Sequence, residues 1–122
     1  MKIKGLLIEP LNEPKVVEID DSLESLQSVV DGYIEMVCPP THPDEAVIIA
    51  NEEGKILGLE ANRPVRLEDG RIYDIICGNM FICNAPYDSE NFASLTDQQI
   101  EMYKNMYFKT ISIDKLLAEI IG

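Results

Sequence analysis

Ala46-Val47-Ile48-Ile49-Ala50 is apolar at every position. Such a run is expected of a central strand covered on both faces, because a strand with one wet face alternates apolar and polar residues. The segment before it, Cys38-Pro39-Pro40-Thr41-His42-Pro43-Asp44, holds three prolines in seven residues and must be a loop. After it, Asn51-Glu52-Glu53-Gly54-Lys55 has hairpin-turn chemistry, with Gly54 free to take positive φ. Ile56-Leu57-Gly58-Leu59 is then expected to return along the sheet.

Working outward towards the N-terminus, Tyr33-Ile34-Glu35-Met36-Val37 alternates with period two and reads as a strand. Ile34 and Met36 fall on one face; Tyr33, Glu35 and Val37 fall on the other. Before it, Asp21-Ser22-Leu23-Glu24 offers a capping side chain with an acid close behind. Leu23, Leu26, Gln27 and Val30 keep helical spacing until Gly32 supplies the stop. Residues 2 to 9 and 15 to 19 are β-rich runs on either side of Pro10-Leu11-Asn12-Glu13-Pro14, whose prolines forbid one continuous strand.

Towards the C-terminus, Asn62-Arg63-Pro64 reads as a break and Asp69-Gly70 as a second turn. Ile72 to Cys77 and Met80 to Cys83 are strands interrupted at Gly78-Asn79, where a bulge is expected. Residues 84 to 93 form a polar loop. Thr96 then caps a helix, with Gln99 reaching back and Ile100, Tyr103, Met106 and Tyr107 on one face. Ser112-Ile113-Asp114 opens a final helix whose Ile113, Leu116, Leu117, Ile120 and Ile121 keep amphipathic spacing. The expected class is α+β: a mixed, mostly antiparallel sheet, one early helix after the second strand, and two C-terminal helices. With 122 residues and no linker or repeat, residues 1 to 122 are expected to form a single domain.

Hydrophobic residues make up 46% and charged residues 26%, which excludes disordered and low-complexity classes. Ten Lys and Arg against twenty-two Asp and Glu leave a net charge of −12. Affinity for a phosphate backbone comes from displacing counterions with cations, so direct nucleic-acid binding is not expected. From Val16 to Gly54 there is no cation, while Glu18, Asp20, Asp21, Glu24, Asp31, Glu35, Asp44, Glu45, Glu52 and Glu53 supply ten carboxylates. An odd set of three cysteines, Cys38, Cys77 and Cys83, argues against a disulfide scaffold and for a reducing compartment. The apolar run Gly5 to Ile8 ends at Glu9, too short for a signal peptide, and no stretch is long enough to span a membrane. A cytoplasmic protein without membrane contact is expected.

Cys38, His42, Cys77 and Cys83 can be drawn as a zinc site, but the spacing is loose and the second pair lies in an apolar strand, so no metal and no cofactor are assigned. Nor does any Ser or Cys sit in a Gly-flanked elbow beside His42, the single histidine. Arg63, Arg66 and Arg71 form the one basic cluster, suited to anion recognition or, more plainly, to internal salt bridging. Tyr33, Glu35 and Asp74 are polar where the pattern wants apolar residues, as in a cleft or on a solvated sheet face.

Leu26-Gln27-Ser28-Val29-Val30-Asp31-Gly32-Tyr33-Ile34-Glu35, Asn51-Glu52-Glu53-Gly54-Lys55, Leu59 with Asn62-Arg63, Ile72 to Gly78 and Asn91-Phe92-Ala93-Ser94-Leu95-Thr96 together carry a resemblance. In this order they resemble the uncharacterised domain-of-unknown-function family 3846 of bacterial, plasmid and phage proteins. Where that family tends to show Gly-Gly-Tyr-Ile-Glu, this chain has Asp31-Gly32. The resemblance implies a compact cytoplasmic protein often carried by mobile elements; it implies no activity and carries over no catalytic residue.

These observations favour a small non-enzymatic binding or regulatory module over an enzyme. Its partner is a protein or a small ligand, met through Tyr33, Glu35, Asn51, Asn62, Arg63 and Asp74. Two alternatives stay open. One is an acidic mimic of DNA that inhibits a DNA-binding defence protein, since charge along one face can imitate a duplex carrying one charge per about 1.7 Å. The other is a small-ligand or nucleotide-binding enzyme with Glu35 or Asp74 as acid or base and Arg63 or Arg66 as anion clamp.

Overall fold

The computed structural model describes residues 1–39 and 44–121. Its elements are β1 (Lys2–Ile8), β2 (Lys15–Asp20), α1 (Leu23–Val30), β3 (Ile34–Val37), β4 (Ala46–Asn51), β5 (Ala61–Arg66), β6 (Ile72–Cys77), β7 (Met80–Asn84), α2 (Asp97–Met106) and α3 (Ile113–Ile121). Five strands form a sheet in the order β2-β1-β7-β4-β3, while β5 and β6 form a separate two-stranded sheet. Every described strand pair is antiparallel. The class is α+β, with one early helix and two C-terminal helices as expected.

Period-two alternation divides the central strands between two cores. Ile3, Val47, Ile49, Phe81 and Cys83 project to one face and pack under Leu26 and Val30 of α1. Leu6, Ile8, Ile48, Met80 and Ile82 project to the other, against Val65 and Ile76 of the two-stranded sheet and Ile100, Tyr103 and Tyr107 of α2. All six residues of β4 are buried, as its unbroken apolar run requires. Each fully buried aliphatic side chain contributes about 1.5–3 kcal/mol, so these three layers hold the bulk of the favourable energy.

Helix ends follow local chemistry. The Ser22 hydroxyl accepts the Ser25 N–H at 3.2 Å, and Thr96 with Gln99 closes a reciprocal capping box. The exit of α1 differs from the reading of Gly32 as its stop. Asp31 itself takes the left-handed conformation, at φ 63°, and Gly32 is required for a different reason. A Cβ on Gly32 would stand 2.6 Å from Asn51 Nδ2.

Three further expectations are corrected. Residues 56 to 59 do not return as a strand; residues 52 to 58 wind through tight turns, and the positive φ belongs to Gly58 rather than Gly54. β4 has its partners already, in β3 and β7, so no edge is open to a hairpin return. Asn62-Arg63-Pro64 does not break the chain but lies inside β5, whose pairing with β6 shifts register there. A two-stranded sheet tolerates Pro64 because an edge strand leaves N–H groups unpaired on one side. Finally, Gly78, at φ 86°, is no bulge within one strand: it turns the chain from β6 in one sheet into β7 in the other. Among the described residues no helix is long and apolar enough to cross a membrane.

Candidate functional site

Where the end of β4 passes beneath β6, the two sheets part and leave a cleft of about 250 Å³. Glu35 of β3 and Asp74 of β6 both line it, although they belong to different sheets. Glu35 pairs with Ala50 of β4 and so shares the face that looks towards the two-stranded sheet. Asp74 stands one alternation from buried Ile76. Between them the turn after β4 inserts Lys55. Its Nζ donates to Asp74 Oδ1 at 2.5 Å. That hydrogen bond, with the charges of Asp74 and Glu35 behind it, holds the ammonium pKa above its ordinary value. Both side chains of the pair reach solvent, so the bond fixes geometry more than it adds stability.

The turn that carries Lys55 is pressed directly onto the end of β6. Gly54 makes this possible, since a Cβ there would stand 2.5 Å from the Cys77 carbonyl oxygen. Asn51 anchors the same turn from the other side. Its Oδ1 accepts the Glu53 N–H at 2.8 Å, and its Nδ2 donates to Val30 O at 3.1 Å and Asp31 O at 3.3 Å. One buried amide thus ties the exit of α1, the end of β4 and the turn together.

The six residues singled out from the sequence therefore divide. Glu35, Asn51 and Asp74 line one cleft, though the amide of Asn51 is spent on the fold. Tyr33 is exposed outside the cleft, its carbonyl accepting the Glu52 N–H. Asn62 and Arg63 are buried elsewhere on β5, Asn62 against the ends of β1 and β6 and Arg63 against the end of α2. Asn62 Nδ2 donates to Ile8 O at 2.7 Å and Gly78 O at 2.9 Å. Arg63 donates to Tyr107 O at 2.8 Å, Asn62 Oδ1 at 2.8 Å and Asn12 O at 2.5 Å. The other two arginines of the basic cluster pair internally, Arg66 with Glu119 and Arg71 with Asp69.

Sequence reading passed over Lys55, the first cation after the long cation-free stretch, and that position was its signal. It also passed over Asp44, which accepts hydrogen bonds from the Tyr103 hydroxyl, Gln99 Nε2 and the Ala46 N–H and so pins α2 to the start of β4. Burial, with Asp44 alongside, pushes the Tyr103 phenol well above its ordinary pKa. The thiols are spread out: Cys38 is exposed, Cys77 half-buried at the cleft, and Cys83 buried under α1, where burial raises its pKa to about 12. His42 lies outside the described residues. Among the described residues no three His, Cys, Asp or Glu side chains gather as metal ligands.

No curated protein and no solved structure matches the chain. A family model matches residues 1–108, from β1 through the end of α2. The chain belongs to the DUF3846 family, a domain of unknown function.

Proposed function

We propose that the protein is a non-enzymatic binding module that takes a cationic group, on a protein partner or a small ligand, at the cleft between β3 and β6. One observation carries the reading: Glu35 and Asp74 face a common cleft from separate sheets, and among the described residues Lys55 is bonded to Asp74 alone. The cleft keeps an excess of negative charge at the end of a stretch that contains no cation from Val16 to Gly54. An arginine or ammonium of the partner completes that arrangement through charge-assisted hydrogen bonds. Thiolate attack at the cleft is disfavoured because burial raises the pKa of Cys77 in its lining, and a thiol attacks only as thiolate. Asn62 and Arg63 do not belong to this surface.

The acidic-mimic alternative takes second place on geometry. Glu18 and Asp20 stand on β2 at one edge of the five-stranded sheet and Glu35 on β3 at the other, about 19 Å away at strand spacing. A single ridge of charge is not what that layout builds. The setting in mobile elements, a cytoplasmic location and a regulatory role remain part of this proposal.

The test is capture from lysate on the immobilised protein at low and moderate salt, run beside the variant E35Q/D74N. Expected is a stoichiometric partner, or a small polyamine, that is held at low salt, released at moderate salt, and not held by the variant. Equal capture by both proteins would sink the reading.

A further inference from the structure

Six of the ten Lys and Arg side chains pair with a carboxylate. Among the described residues the remaining four, Arg63, Lys104, Lys109 and Lys115, do not. Three of those four, Arg63, Lys109 and Lys115, line one cleft of about 710 Å³ between β5 and the segment joining α2 to α3. Among the described residues no carboxylate lines it, in a chain with more than two acids for every base. Arg66 forms a further wall, already neutralised by Glu119. The concentration of unpaired positive charge runs against the composition of the whole molecule.

Arg63 makes the point sharper. It is 1% exposed, and among the described residues every oxygen that it meets is neutral: three backbone carbonyls and the Asn62 side-chain oxygen. A buried charge without a counterion is costly, and an anion in the adjoining cleft relieves part of that cost through the low-dielectric wall. The rest of the cleft is apolar. Phe108 and Met106 are 48% and 39% exposed in its wall, large surfaces that face water without a covering element. The volume lies within the range of small-molecule sites, about 300–1,000 Å³.

We infer that this cleft binds a small organic anion whose phosphate or carboxylate is carried on a flat or extended apolar body. The body lies against Phe108 and Met106, and the anionic group is held by Lys109 and Lys115. Inorganic phosphate alone leaves the apolar wall uncovered, and a neutral aromatic leaves the lysines unpaired, so each binds weakly. The cleft is separate from the acidic cleft at Glu35 and Asp74, and the two sites stand or fall independently.

The experiment is amide chemical-shift titration of the full chain with 1-naphthyl phosphate, with 1-naphthol and inorganic phosphate as controls. Adenosine monophosphate and decanoate then separate a nucleotide source from a fatty-acid source. Expected are saturable shifts at the amides of Phe108 to Ile111 with 1-naphthyl phosphate, and affinity at least about tenfold weaker for either control. The variant K109Q/K115Q, at two exposed positions, is expected to keep the spectrum of the folded protein and lose about tenfold or more in affinity. The tighter of adenosine monophosphate and decanoate names the source. The inference is overturned if no saturable shift appears there up to about 5 mM ligand. Equal binding of 1-naphthol, or unchanged affinity in K109Q/K115Q, would overturn it as well.

Discussion

Arg63 links three parts of the chain that are far apart in sequence: Asn12 after β1, Asn62 within β5, and Tyr107 at the end of α2. Arg63→Met removes the donors and leaves those oxygens buried, and Arg63→Lys cannot reproduce the planar fork. Either substitution is expected to cost about 2–4 kcal/mol, read as a lower urea midpoint. The sequence offered no hint of this role, since polar residues beside a proline have the composition of a turn, and only the packed structure reveals a guanidinium that cross-links backbone. Asp31 is the opposite case. A left-handed residue at a helix exit is most relaxed as glycine, so Asp31→Gly is expected to stabilise by about 0.5–1 kcal/mol in the same measurement. Gly32 offers no such freedom because Asn51 lies against it.

At the scale of elements, legibility followed how local the determining physics is. The N-terminal caps of α1 and α2, the buried run of β4 and the Asp69-Gly70 turn are decided by neighbours in sequence, and each was readable. Residues 56 to 59 misled because apolar residues after a turn resemble a returning strand. Whether β4 has room for another partner is decided by β7, thirty residues later. Likewise Glu35 and Asp74 were readable as polar residues in strand patterns, but their meeting depends on how two sheets stack. α3 lies beyond the family match and was read as amphipathic, yet of its apolar residues Leu116 is buried while Leu117, Ile120 and Ile121 stay exposed. Removing residues 112 to 122 is therefore expected to cost about 2–3 kcal/mol, the burial of one leucine plus a surface ion pair. Urea unfolding of the shortened chain should remain a single cooperative transition; loss of that transition would mean that α3 holds the core.

For the molecule as a whole, alkali is the condition that the buried acids report. Burial raises the Cys83 thiol from 9.0 to about 12 and the Tyr107 phenol from 10.0 to about 12. Both groups hold their protons more tightly folded than unfolded, so the stability they contribute is complete below pH about 9 and is lost as pH rises towards about 12. The urea midpoint is expected to be level between pH 7 and 8.5 and to fall steadily above pH about 9.5, with Cys83→Ala flattening the first part of the fall. The order β2-β1-β7-β4-β3 has its own consequence when the chain is made from its N-terminus. β1 can pair with β2, and β3 with β4, as soon as each is synthesised, but the strand that joins these two halves is the last of the seven. Until Met80–Asn84 leaves the ribosome, Leu6 to Ile8 and Ala46 to Ala50 present open apolar edges that other nascent chains can pair with. Synthesis interrupted between the completion of β4 at residue 51 and the start of β7 at residue 80 thus leaves two half-sheets whose apolar edges have no partner.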